Sequence, residues 1–329
     1  MYPLKFENLY YDKIWGGRDL EAFRDNLPDG NIGESWDVAC HKNGTSVVAN
    51  GEFKGKRLDD LIKEKGSELL GTKISPDWFP LLVKLINAKD KLSVQVHPND
   101  EYAKRVEGDM GKTEVWYVVE AFEGANLVVG TKGNCTKEQL KKALEKDQID
   151  EYMNKIPVQK GEVYLVRSGM IHAIGEGVIV AEIQQNSDTT YRVSDYNRGR
   201  EIHVEKALDV IDLSLRGKKS EGVKVKKCGY EKTYLCLGRD FSLELYDFEK
   251  ELIETSDEER FYIFTCVDGK GELFYGENNS KSEAINYGDS VLIPASTGKY
   301  TFKGNMKLLK SYVPDVEKVE KEILSEIEY

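Results

Sequence analysis

Apolar residues along this chain fall in short runs, many alternating with polar positions, and the runs are separated by glycine-containing turns. "KLSVQVH" (91–97) shows the pattern: Val94 and Val96 share one face, and Ser93, Gln95 and His97 share the other. A period of two predicts a strand. "WFPLLVKLINA" (78–88), "TEVWYVVEA" (113–121), "ANLVVG" (125–130), "EVYLVRS" (162–168) and "GVIVAEIQQ" (177–185) are likewise rich in β-branched or aromatic residues. The last third repeats the style in "FSLELYDF" (241–248), "RFYIFTCV" (260–267), "GELFYG" (271–276), "DSVLIPA" (289–295) and "KYTFKG" (299–304). Short strands between turns such as "GDMGK" and "EGAN" predict a mainly β chain, built as an antiparallel sandwich or barrel.

Helical spacing is rarer. "TKEQLKKALEKDQIDEYMNKI" (136–156) opens with a capping box, Thr136 and Gln139, and predicts a helical insert. "HVEKALDVIDLSLR" (203–216) and the segment from Leu58 to Lys65 predict two more. The charged, periodic "DVEKVEKEILSEIEY" suits either a terminal helix or a frayed tail.

The chain also echoes itself. "GEVYLVRSGMIHAI" (161–174) aligns with "GDSVLIPASTGKYTF" (288–302), and "EVWYVVEAFEG" (114–124) aligns with "ERFYIFTCVDG" (259–269). Two copies of one β-rich unit predict two consecutive small barrels. His172 then faces Lys299 and Glu114 faces Glu259, so the second copy keeps a carboxylate but no histidine. Chemistry is expected in a first domain, 1–218, and scaffolding in a second, metal-free domain, 219–329.

Composition narrows the setting. At 329 residues, 40% of them apolar, the chain has room for two domains and their cores. A net charge of −11 argues against a nucleic-acid partner, which needs a basic face. Cysteines 40, 135, 228, 236 and 266 are odd in number and form no C-x-x-C pair, as expected of reduced thiols in the cytoplasm. The N-terminus lacks a signal-peptide pattern, and no apolar run approaches the ~20 residues that cross a bilayer. A cytoplasmic protein with no membrane partner is expected, as a monomer or a homodimer.

Of the four histidines, His41 in "HKNGTS" and His203 on the expected helix read as surface residues. His97 and His172 each end a strand at a turn, where small-molecule sites are often built. Glu114 opens a heavily apolar strand, where a carboxylate needs a partner. With Gln95 beside His97, these residues could make a four-ligand shell for a divalent metal, and the spacing alone leaves zinc and non-haem iron both open. Trp15 and Trp36 read as packing residues. Gly16 and Gly17 read as a tight turn rather than a phosphate cradle.

Longer blocks go beyond spacing. "FPLLVKLINAKDKLSVQVHPND", "GKTEVWYVVEA", "GMIHAIGEGVIVAEIQQNSDTTYRVSDYNR", "KIWGGRDL" and "IGESWDVA" together resemble the type I mannose-6-phosphate isomerases in their short bacterial form, within the cupin superfamily, over nearly the whole chain. The resemblance implies two consecutive cupin (jelly-roll) β-barrels with a few helices, the insert near 136–156 lying in the first. It also implies one zinc ion per chain, held by Gln95, His97, Glu114 and His172. Glutamine stands where many cupins place a histidine, which weakens analogy to iron dioxygenases.

The implied reaction interconverts mannose 6-phosphate and fructose 6-phosphate through a cis-enediol. Arg192 matches the family's catalytic arginine and Lys112 a substrate-contacting lysine. Glu182 is implied as a pocket carboxylate that manages protons, and Ser93 as a hydroxyl near the phosphate. Glu182, Lys112 and a zinc-bound water all stay open as the proton-transfer group. The competing readings are a cupin glucose-6-phosphate isomerase, an iron oxidoreductase and a non-catalytic protein that binds a sugar phosphate.

Overall fold

A computed structural model of the chain describes residues 1–146 and 148–327. Its first half opens with β1 (Leu9–Gly17), β2 (Ile32–Val38) and a small hairpin, β3 (Cys40–His41) and β4 (Gly44–Thr45), followed by helices α1 (Leu58–Lys65) and α2 (Ser67–Leu70). Next come β5 (Leu81–Ala88), β6 (Val94–Val96), α3 (Asp100–Val106), β7 (Glu114–Ala121), β8 (Asn126–Thr131) and α4 (Lys137–Glu145). β9 (Met153–Pro157), β10 (Val163–Val166), β11 (His172–Ile174), β12 (Val178–Gln185), β13 (Tyr191–Ser194) and α5 (Val204–Val210) complete it.

These strands form two antiparallel sheets, ordered β1-β2-β5-β12-β7-β10 and β13-β6-β11-β8-β9. One apolar cluster fills the space between them, joining Ile86, Trp116, Val118, Val166 and Val180 of the first sheet to Leu127, Val129 and Ile174 of the second. This is the jelly-roll arrangement of a cupin.

The second half runs β14 (Val223–Lys227), β15 (Tyr230–Leu237), β16 (Ser242–Phe248), β17 (Glu251–Thr255), β18 (Tyr262–Tyr275), β19 (Lys281–Ile285), β20 (Ser290–Ile293), β21 (Lys299–Tyr312) and α6 (Val316–Ile327). All eight strands join one sheet, because the two 14-residue strands β18 and β21 run through both layers. They approach closely around the Gly271–Gly304 pair: a Cβ on Gly269 would lie 2.0 Å from the Asn305 carbonyl oxygen, and one on Gly304 2.6 Å from that of Lys270.

Why β5 and β12 read as almost unbroken apolar runs is now plain. Both are buried along their whole length. One face closes the first barrel, and the other joins a core shared with the second, in which Val83, Val115 and Ile183 meet Leu243, Ile263 and Leu309. Leu4 adds to this join by exchanging backbone hydrogen bonds with Leu292 at 2.8 and 2.9 Å.

Two sequence expectations change, and one left open is decided. The insert expected over 136–156 is helical only to Glu145, and Met153–Pro157 is strand β9, paired with β8. Backbone pairing along β8 outweighs the local helical spacing there. The helix expected over 203–216 ends at Val210. The terminal segment does form a helix, through Ile327, and its last two residues lie outside the described range. No helix among the described residues is long and apolar enough to cross a membrane.

Candidate active site

Strand pairing brings the expected ligand residues together. His172 sits opposite Gln95 in the β11–β6 pairing, and His97 follows the last residue of β6. Glu114 comes from the facing sheet, at the first position of β7. The three ionisable residues offer ligand atoms that all lie within 4.8 Å of one another. His97 Nε2 is 3.5 Å and His172 Nε2 3.4 Å from the Glu114 carboxylate. The Gln95 amide nitrogen is 3.3 Å from His172 Nε2.

Each imidazole is oriented from behind. His97 Nδ1 lies 3.0 Å from the Thr189 carbonyl oxygen, and His172 Nδ1 lies 2.8 Å from that of Met170. Those carbonyls accept only from Nδ1–H, so each Nε2 keeps its lone pair; Lys112 Nζ lies 3.2 Å from that of His97 and the Gln95 amide nitrogen 3.3 Å from that of His172. Burial pushes His97 down to about 3, and the Lys112 ammonium adds to the shift. Burial likewise lowers His172. Both rings are therefore neutral, as a metal ligand must be. Burial would raise Glu114, but the Lys112 ammonium beside it holds it well below the usual carboxylate range.

Neither Glu114 oxygen accepts a hydrogen bond of good geometry, although Lys112 Nζ lies 2.8 Å away. With the Lys112 ammonium on one side and neither oxygen accepting a well-formed hydrogen bond, this fully buried carboxylate between two imidazoles has lone pairs left for a second cation. Nitrogen and oxygen donors in this number suit zinc or another first-row divalent ion.

A cavity of about 270 Å³ opens beside this cluster, and Ser93, Gln95, Lys112, Glu182 and Arg192 all line it. Arg192 stands opposite Gln95 on β13. Its Nη1 donates to the Glu201 carbonyl at 2.7 Å, while its buried Nε has no partner. Glu182 Oε2 accepts from Trp116 Nε1 at 2.8 Å, and Oε1 lies 3.0 Å from Lys84 Nζ and 3.9 Å from Lys112 Nζ.

Lys84 is a residue the sequence reading missed. Glu182 and Glu34 hold its ammonium above the ordinary lysine range, against the lowering effect of burial. The missed signal was a lone lysine inside the apolar run "LLVKLINA". His203 was expected on the surface but lines the cavity, and its Nδ1 accepts from the Arg192 backbone N–H at 3.2 Å. His41, also expected outside, is buried near Asp109. Trp15 both packs and walls the cavity. Gly16 permits a close backbone approach, since a Cβ there would fall 2.2 Å from the Asn31 carbonyl oxygen.

Comparison with known proteins agrees with this geometry. Residues 4–126 match the family described as phosphomannose isomerase type I, catalytic domain, and residues 230–313 match the mannose-6-phosphate isomerase cupin domain. Mannose-6-phosphate isomerase of Streptococcus mutans is 35% identical over 319 residues, covering 94% of this chain and 98% of that one. This chain belongs to the type I phosphomannose isomerase family. Mannose-6-phosphate isomerase ManA of Bacillus subtilis is also 35% identical, covering 94% of this chain and 99% of its own. The crystal structure of a mannose 6-phosphate isomerase from Bacillus subtilis superposes with a TM-score of 0.87 at 33% identity, covering 94% of this chain and 99% of that one. A Salmonella typhimurium phosphomannose isomerase structure, at 16% identity and a TM-score of 0.75, shares the fold.

Proposed function

We propose that this chain is a zinc-dependent aldose–ketose isomerase that interconverts mannose 6-phosphate and fructose 6-phosphate through a cis-enediol. The observation that carries the metal is the Glu114 carboxylate, without a well-formed hydrogen bond, between two oriented, neutral imidazoles. His97, His172 and Glu114 would hold the ion, and turning the Gln95 amide would bring its oxygen to the same point. A divalent ion there supplies the positive charge that polarises a carbonyl and offsets a developing enediolate.

The chain's own residues supply the rest. Glu182 has one oxygen fixed by Trp116 and the other, Oε1, in an ion pair with Lys84 at 3.0 Å on the cavity wall. We assign to it the proton that leaves C2 and arrives at C1. Lys112 and the free Nε of Arg192 face the same cavity, where they offset charge on the oxyanion or the phosphate. Ser93 adds a hydroxyl. Local cations therefore capture an anionic substrate on a chain whose net charge is −11. The catalytic role goes to residues 1–218 and a metal-free, cupin-like role to 219–329. Five unpaired cysteines suit a cytoplasmic setting.

The test is a coupled assay of fructose 6-phosphate formation by as-purified, chelator-stripped and zinc-restored protein, with metal analysis alongside. Activity lost on stripping and regained with zinc supports the proposal. A zinc-loaded, inactive protein overturns the substrate assignment, and a protein loaded with iron favours an oxidoreductase.

A further inference from the structure

The second barrel has its own polar mouth, found by following strand register from the first. His172 pairs with Gln95 and Val129, and Tyr300 pairs with Glu254 and Tyr275. Glu182 pairs with Lys84 and Trp116, and Lys310 pairs with Glu244 and Phe264. Tyr300, not Lys299, is thus the counterpart of His172. By the same register Tyr262, opposite Ile293, is the counterpart of Glu114, opposite Val166.

A cavity of about 370 Å³ lies at this mouth, larger than the one beside the ligand cluster. The barrel side of its lining carries Lys227, Lys232, Arg260 and Lys310. Against them stand the carboxylates of Glu244, Glu254, Asp257 and Asp315, so the charges balance and the mouth offers an anion polar donors rather than net charge. Lys232 and Lys310 are buried, at 7% exposure each. The fully buried Tyr300 hydroxyl has no hydrogen-bond partner among the described residues.

Helix α6 brings further acid to this mouth, where Lys232 Nζ already lies 3.1 Å from Glu244. Glu322 Oε1 accepts from Lys232 Nζ at 3.1 Å and from Tyr234 Oη at 2.7 Å. Glu326 accepts from Tyr234 at 3.0 Å and pairs with Lys227 at 2.8 Å. The helix has little other hold. Val319 is its one buried side chain, with Ile323 packed beside it.

We propose that Lys227, Lys232 and Tyr234 form a second anion site, for a phosphate group, which α6 occupies with its own carboxylates and vacates when phosphate binds. A tethered carboxylate and a free phosphate compete for the same donors, so the helix acts as a displaceable cover. The proposal does not depend on the chemistry assigned to the first barrel.

Hydrogen exchange of the full-length protein tests it, with inorganic phosphate as the probe and sodium chloride at matched ionic strength as the control. Amides of 316–327 are expected to exchange several-fold faster as phosphate rises, to a plateau. Lys232→Met removes the response, and Arg192→Ala leaves it intact. Lys227→Gln, at a more exposed position, weakens it and decides the question if the Lys232 variant fails to fold. Equal exchange in phosphate and chloride overturns the proposal. So does slower exchange on adding phosphate, or a response that survives both lysine substitutions.

Discussion

The two barrels share a strand scaffold and differ in what stands at matching interior positions. In the first, Lys84 faces Glu182 across neighbouring strands; in the second, Glu244 faces Lys310. The charges are exchanged, yet both sites pair a buried lysine with a glutamate: Lys84 with the buried Glu182 at 3.0 Å, and Lys310 with the half-buried Glu254 at 3.0 Å. Neutrality is what burial demands; which strand carries which sign is free. Histidine is different. Replacing His172 by Tyr300, and Glu114 by Tyr262, removes the donors that a metal needs while keeping the volume filled. The same scaffold thus carries a candidate metal centre in one copy and a salt-bridged, tyrosine-lined mouth in the other.

Copying one barrel into the other breaks this comparison most sharply. His172→Tyr should cost metal retention more than the roughly 100-fold typical of losing an outer partner, with activity falling to background. Metal analysis and the coupled assay read both. Arg192→Ala comes next, with kcat expected to fall by about 10²–10³ while bound metal is unchanged. Lys310→Met should destabilise the fold by about 1–3 kcal/mol, since it removes the cation beside Glu254, yet leave kcat near wild type. Lys84→Met should show a similar loss in denaturant titration and lose activity as well.

Acid provides a gentler test. Burial raises the Glu34 carboxyl, but Lys84 and Lys13 outweigh it and take it from 4.5 down to about 2. Because the folded value is depressed, the stabilisation is complete above the unfolded value and fades as pH falls from about 4.5 to 2. It amounts to about 3 kcal/mol, and Glu34→Gln should flatten the stability profile in that window. The smallest effect belongs to Tyr300→Phe, which removes an orphan hydroxyl and should move stability by less than about 1 kcal/mol.

Much of the site was legible before folding. Gln95 and His97 share a face because strand period is two, and the strand that starts at Glu114 was visible from its aromatic and β-branched run. His172 joined them as a second histidine at a strand end beside a turn, and the family resemblance implied that all four hold one zinc ion. Lys84 and His203 stayed hidden, since one looked like a flaw in a core strand and the other like a helix end at the surface. The echo was seen, but its alignment was one residue off at His172 and three at Glu114, because only backbone pairing fixes register.

Periodicity, turn residues and side-chain chemistry are local, so the sequence by itself determined the strands, the doubling of the unit and the residue types able to bind a metal. Which lone pairs converge, which lysine each carboxylate meets and what covers the second mouth depend on pairing between strands far apart in the chain. His97 and His172 are 75 positions apart, yet their rings stand 4.7 Å apart. Only tertiary packing closes that distance, and the low dielectric it creates makes those few polar contacts decisive.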